Sequence, residues 1–265
     1  PPSGRVSGVA GDELCAGTGH LAATIPTHVV RQLKSYCRAD DCDHGFVVLN
    51  RPHALVQFVN SSYFRERVLE EYLFIAETDH LILRPPVNLA TPTSPVAYRF
   101  YYMTYKYDSR KLLPVVSRYA TDPDAVDAVG PSPMLIHKGL LTRMVAPWWS
   151  LALELKRDRA ADAAFGWVLE MWAWTLAAAR EGVSHTIDTR FQFESTGEGT
   201  DEVDHASLLH YTFDLSVGSW RWSKRRFMRD YPPRMTEAPR RARRSVHLFV
   251  KMVNDAIAST EWFPV

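Results

Sequence analysis

An α/β fold is predicted by three features of this sequence. Short apolar runs of strand length, Phe46-Val-Val-Leu49 and Tyr72-Leu-Phe-Ile-Ala76, end in polar turns or lead into segments with helical spacing. Residues 163–179 carry one charged side chain and are apolar on every face, as expected of a helix packed inside other layers. With 265 residues, 46% of them hydrophobic and 12% aromatic, the chain can bury one large core and is read as a single domain over 1–265. A formal charge of +1 gives no global argument for nucleic acid.

Taken in order, residues 1–20 hold Pro1-Pro2 and five glycines and read as loop or frayed terminus. Residues 27–33 suit a short strand or one helical turn, and 39–45 form a polar loop. Phe46 to Leu49 reads as a buried strand. Asn50-Arg51-Pro52 ends it and opens a helix over 52–60, with Pro tolerated in the first turn because its missing N–H costs nothing there. Arg51 at this junction is either a surface cation or a planar donor able to grip a diphosphate, and Asn50 is either a ligand or a helix cap. A second strand covers 72–76 and a third 81–83, stopped by Pro85-Pro86. Residues 95–105, with five aromatic rings, fit a strand whose rings pack in the core, or in part line an acceptor groove. Gly130 to His137 gives a turn and then a strand. Residues 147–156 suit a helix, 163–179 another, and Gly182 ends it. A polar loop over 194–204 leads to a last strand at 207–213. Basic residues dominate 220–244, and Ser245 caps a final helix with an apolar stripe at Val246, Phe249, Val250, Val253 and Ile257. Three cysteines are too few for a disulfide scaffold, although Cys37 and Cys42 are spaced for a small loop. No apolar segment has the length of a membrane span.

Chemistry concentrates in Glu77-Thr78-Asp79-His80, between the second and third strands. Carboxylates beyond a strand end fall where α/β sheets bind ligands, and on extended backbone Glu77 and Asp79 point the same way. Their oxygens suit Mn²⁺ or Mg²⁺ bridging to phosphate, while a plain polar turn is the bland alternative. Glu170, alone in an apolar helix, is costly to ionise unless it is paired. It is therefore either bonded to a buried Arg or backbone donor, or set at the bottom of a site.

The segment Glu77-Thr-Asp79-His80-Leu-Ile-Leu-Arg84-Pro85 resembles the acidic Glu-Pro-Asp-His motif of plant and algal hydroxyproline O-arabinosyltransferases, with Thr78 in place of Pro. Blocks at Val47-Val-Leu-Asn50-Arg51-Pro52, Phe165-Gly-Trp167-Val-Leu-Glu170-Met171, His210-Tyr-Thr212 and Gly218-Ser-Trp220-Arg221-Trp222-Ser-Lys224-Arg225 agree in the same order. The resemblance runs from about Ile25 onward. It implies a GT-A-like mixed sheet flanked by helices, lacking the family's N-terminal anchor and first nucleotide-binding unit. It also implies a Golgi-lumen enzyme anchored by a single membrane pass. This enzyme would move L-arabinofuranose, with retention, from UDP-β-L-arabinofuranose to peptidyl hydroxyproline of secreted peptides or cell-wall glycoproteins. Glu77, Asp79 and His210 would hold Mn²⁺ (or Mg²⁺). Asn50, Arg51, Arg221 and Lys224 would bind the donor, Glu170 would act catalytically, and Trp167 and Trp172 would contact the acceptor. The alternatives are a relative with another sugar or acceptor, such as a peptidyl serine galactosyltransferase, or a non-catalytic peptide- or glycan-binding remnant.

Overall fold

The computed structural model describes residues 26–35, 42–194, 203–227 and 232–259. The termini, the Cys37 region, most of the 194–204 loop and part of the basic stretch lie outside them. Cys42 is buried and disulfide-bonded, and the other two cysteines are outside the described residues.

Two mixed sheets and a hairpin carry the β structure. The first sheet has the order β1 (Tyr72–Ile75), β4 (Val129–His137), β3 (Val96–Arg99), β5 (Thr186–Ile187). Its first three strands are antiparallel and β5 joins parallel to β3. The second sheet has the order β2 (His80–Ile82), β7 (Leu208–His210), β6 (Gln192–Glu194), antiparallel and then parallel. Strands β8 (Leu215–Val217) and β9 (Trp220–Trp222) pair as the hairpin.

The first sheet shares one core with helices α1 (Asn50–Val59), α2 (Ser62–Arg67), α3 (Ser109–Tyr119), α4 (Lys138–Arg157), α5 (Arg159–Phe165) and α6 (Leu169–Arg180), and β4 packs on α4 and α6. Helix α4 buries Leu140, Leu141, Met144, Val145, Trp148, Leu151, Ala152 and Leu155, a stripe of helical spacing. Trp148 and Trp174 meet edge to face at 5.3 Å across the contact with α6. The second sheet and the hairpin pack on α7 (Arg244–Ser259), whose Val246, Phe249 and Val250 form a smaller core with Leu209, Leu215 and Trp222.

Several expectations are corrected. Phe46 to Leu49 is not a strand: Val47–Leu49 is a 3₁₀ turn with Val47 half exposed, leading straight into α1. Residues 130–133 belong to β4 rather than to a turn. Pro131 and Pro133, which cannot donate to a ladder, sit where the β3–β4 register shifts between Ala97 and Arg99. The rings of 95–105 are only partly in a strand, since β3 ends at Arg99. The helix of 147–156 begins earlier, at Lys138, and contains Pro147. The helix expected over 163–179 is broken at Gly166, whose φ of +53° belongs to a backbone region that side chains disfavour. A 3₁₀ turn, Gly166–Val168, follows, and α6 starts afresh at Leu169. The strand expected at 207–213 spans Leu208–His210 and is not the last, because the hairpin follows it.

Candidate active site

The chain leaves β1 at Ile75 and turns through Thr78 and Asp79 before β2 begins at His80. The turn is closed twice: His80 N donates to Glu77 O at 3.1 Å, and Glu77 N donates to His80 Nδ1 at 3.1 Å. Because the backbone is turned and not extended, Glu77 and Asp79 do not share a face. Asp79 and His80 face His210, while Glu77 faces Arg51.

Register brings the next residue in. His80 and His210 are directly opposite in the β2–β7 ladder, with rings 4.4 Å apart edge to face. His210 Nε2 lies 3.3 Å from Asp79 Oδ2. Parallel β6 places Glu194 opposite His210, with Oε1 3.4 Å from Nδ1. Glu194 Oε1 also accepts from Gln192 at 3.1 Å and Thr212 at 3.3 Å. Lys224, just past the hairpin, donates its ammonium to Asp79 Oδ2 and lies 5.7 Å from the Tyr211 ring.

Charge follows from these contacts. Burial opposes ionisation of both members of the His210–Asp79 pair, but their mutual attraction outweighs it. With Glu194 adding to Asp79, the His210 imidazole rises to about 9. Asp79, hydrogen-bonded by His210 and Lys224, falls well below the usual carboxylate range. His80 is pushed down to about 4, first by burial and then by the charge of His210, so it is neutral. Its Nδ1 accepts the Glu77 N–H, which puts the proton on Nε2. That nitrogen is buried and has no partner among the described residues.

Asp79, His80 and His210 each offer one ligand atom within 4.8 Å of one another, and one carboxylate with two imidazoles is a donor set that suits Mn²⁺. The orphaned His80 Nε2 is the observation that makes room for a further partner there. Among the expected metal ligands, Asp79 and His210 are therefore together, and His80 stands where Glu77 was expected. For Nε2 to ligate, the bond from Glu77 N to Nδ1 must open so that the proton can move.

Arg51 forms the other half of the site. Its guanidinium spans Glu77 at 2.9 Å and Glu170 at 3.4 Å. Glu170, in the first turn of α6, is 1% exposed, and its Oε1 has no partner among the described residues. Burial pushes its carboxyl up to about 7, with Arg51 holding it back from a larger rise. Both readings of Glu170 thus meet in one residue: an Arg partner for one oxygen and a free second oxygen.

Other expected site residues are employed elsewhere. Asn50 accepts from Leu33 N at 2.8 Å and donates to Val47 O at 3.0 Å, tying the segment before α1 to the helix start. Arg221 is exposed and donates to the carbonyls of Gly218 and Trp220 in its own hairpin. Trp172 is 1% exposed and stacks on Phe165 at 4.8 Å in the core, which leaves no face for an acceptor. Trp167, carried outward by the break at Gly166, is 72% exposed and meets Phe46 edge-on at 5.9 Å. Glu194, expected to open the polar loop over 194–204, was missed by sequence reasoning and instead ends β6. Only the alternation Gln192-Phe193-Glu194 hinted at a strand with a polar face there.

Residues 14–187 match the model of the hydroxyproline O-arabinosyltransferase family N-terminal domain, and 208–263 match that of its C-terminal domain. The chain belongs to the hydroxyproline O-arabinosyltransferase family. It is 35% identical over 254 residues to the hydroxyproline O-arabinosyltransferase NOD3 of Pisum sativum, covering 90% of this chain and 72% of that one. It is 34% identical over 256 residues to RDN2 of Medicago truncatula, covering 91% and 67%. A peptidyl serine alpha-galactosyltransferase of Arabidopsis thaliana is 24% identical over 218 residues, covering 78% of this chain and 25% of that protein. No solved structure matches this family member. No helix among the described residues is long and apolar enough to cross a membrane.

Proposed function

We propose that this chain is a GT-A-like glycosyltransferase that moves L-arabinofuranose from UDP-β-L-arabinofuranose to the hydroxyl of peptidyl hydroxyproline, with retention. Its acceptors would be secreted peptides or cell-wall glycoproteins in the Golgi lumen. Family membership over most of the chain supports the reaction class. The observation that carries the site is Asp79, held between His210 and Lys224 beside the unpartnered His80 Nε2.

Asp79, His210 and His80 would hold Mn²⁺ (or Mg²⁺), which when bound supplies Lewis-acid stabilisation of charge on the departing diphosphate. Lys224 sits where its ammonium can turn from Asp79 to a phosphate oxygen, so that end of the site favours a doubly charged leaving group. Arg51 fixes Glu77 and Glu170 relative to each other. The free Oε1 of Glu170 is then an acceptor for a sugar or hydroxyproline hydroxyl, held in a dry setting where that bond counts most. In the transfer, the hydroxyproline oxygen bonds to the anomeric carbon and the bond from that carbon to the diphosphate oxygen breaks. The hydroxyl proton leaves to a neighbouring carboxylate or phosphate oxygen.

The test is transfer from UDP-arabinofuranose to a hydroxyproline peptide, followed by mass spectrometry with Mn²⁺ or with EDTA. Expected is an arabinosyl peptide that requires the metal and is lost in Asp79→Ala. Absence of product with Mn²⁺ present would refute the transferase reading. Product only with UDP-galactose and a serine peptide would move the chain to the other named activity.

A further inference from the structure

Beyond β3 the chain presents three tyrosines whose rings form a continuous path. Tyr102 is half buried and lies at a tilt to Phe100 at 5.5 Å, and Phe100 adjoins Gly130 together with Met171, the chain neighbour of Glu170. Burial first, then Glu194, with Glu77 contributing, holds its phenol well above the ordinary tyrosine range. Tyr101 meets Tyr102 edge to face at 5.2 Å, and Tyr107 meets Tyr101 at 5.8 Å. Outward from the site the rings become solvated: Tyr101 is 71% exposed and Tyr107 61%.

These rings are held in place. Thr104 caps the 3₁₀ turn Tyr105–Asp108, and both the Tyr105 hydroxyl, at 2.9 Å, and the Lys106 ammonium, at 2.6 Å, bind Asp124. Two large neighbouring rings left in water and continuous with a polar cluster form a surface shaped for a ligand.

We infer that Tyr102, Tyr101 and Tyr107 are the docking track for the acceptor, an extended peptide in polyproline II conformation whose hydroxyproline rings lie against the tyrosine faces. This rests on the transferase reading and names how that site takes its substrate. Proline-type residues fix φ near −65° and favour polyproline II, which repeats every three residues at roughly 3.1 Å each, about 9 Å per turn. Consecutive ring steps of 5.2 and 5.8 Å leave room along the three rings for up to about one such turn. Aromatic-lined grooves recognise this helix because its order is already present before binding. At the inner end, Phe100, in contact with Tyr102, and Met171, the chain neighbour of Glu170, both adjoin Gly130, so the track leads toward the Glu170 Oε1 that can accept a ring hydroxyl and thereby favours a hydroxyl-bearing peptide.

The experiment measures fluorescence anisotropy of a labelled nonapeptide of hydroxyproline and serine, with a glycine-serine nonapeptide as control. Both exposed rings are removed in Tyr101→Ala/Tyr107→Ala and kept in Tyr101→Phe/Tyr107→Phe. Each lost ring is expected to weaken binding about two- to tenfold, so the double Ala variant falls roughly four- to a hundredfold. The Phe variant should stay near wild type and UDP affinity should be unchanged in both. Equal binding by wild type and the Ala variant would overturn the track. So would equal loss in the Phe variant, equal binding of the two peptides, or no peptide binding by wild type. Failure of the transferase reading would look different, with hydroxyproline-peptide binding intact and no sugar transferred.

Discussion

Replacing Glu170 with Gln removes a buried carboxyl while keeping its shape, and its consequence can be worked out before any assay of turnover. Glu170 is 1% exposed, one oxygen is 3.4 Å from Arg51 and the other is unpartnered, and its carboxyl is pushed from 4.5 up to about 7 by burial. Between pH 4.5 and 7 the folded chain therefore holds a proton that the unfolded chain has released. Stability falls as pH rises through that window and levels off above the folded value. The shift corresponds to about 3 kcal/mol at full ionisation, most of which develops between pH 5 and 8. Gln carries no such proton, and its carbonyl can still accept from Arg51. Urea unfolding of wild type and Glu170→Gln, followed by tryptophan fluorescence at pH 5 to 8, should show the variant gaining roughly 2 to 3 kcal/mol relative to wild type across that range. Other titrating groups cancel in the difference. Parallel pH curves for the two proteins would refute the assignment of this carboxyl as buried and half-protonated near neutrality.

Three further expectations follow from the same contacts. Lys224→Met removes the cation on Asp79, so Mn²⁺ alone should bind more tightly while UDP binds roughly tenfold more weakly, both measurable by calorimetry; opposite signs for the two ligands are the signature. Metal affinity should rise with pH up to about 9, because His210 must lose its proton to ligate; a flat profile over pH 6 to 9 would exclude His210 as a ligand. Trp172→Ala empties a core position and should cost about 3 to 5 kcal/mol, whereas Trp167→Ala, on an exposed turn, should cost under about 1 kcal/mol in the same thermal melts.

Elements with their own local signal were legible: the strand at Tyr72, the Pro52 helix, the Gly182 stop and the apolar stripe of α7 all stand where their patterns put them. Phe46 to Leu49 failed because four apolar residues have no period that separates a strand from a tight turn. Gly166 was passed over because glycine within an apolar helical pattern is tolerated, and only its φ of +53° reveals the break. The β8–β9 hairpin had a signal that went unused. Val217 pairs with Trp220 around Gly218-Ser219, a two-residue loop opened by a glycine with positive φ, hidden among basic residues that drew attention to charge. Glu194 had only the short alternation Gln192-Phe193-Glu194 as a local signal, because its place beside His210 exists only once β6 lies parallel to β7.

The β2–β7 ladder explains how this site is assembled. Asp79 and His80 come from the segment matched by the family's N-terminal model, and His210 and Lys224 from the segment matched by its C-terminal model. Three residue pairs, from His80↔His210 to Ile82↔Leu208, hold the two together, and the backbone bond from Tyr211 N to Asp79 O at 3.2 Å extends the contact onto the turn itself. The end proposed to take the metal and diphosphate therefore forms only when both segments have folded onto each other. Arg51, Glu77, Glu170 and the tyrosine track lie within the first segment alone. A proline in place of Leu209, which would remove a ladder donor and perturb the strand, should thus abolish metal-dependent UDP binding while sparing hydroxyproline-peptide binding, provided the α4–α6 core is intact by near-UV circular dichroism. Loss of both ligands with that core preserved would mean that the two ends of the site are a single folding unit.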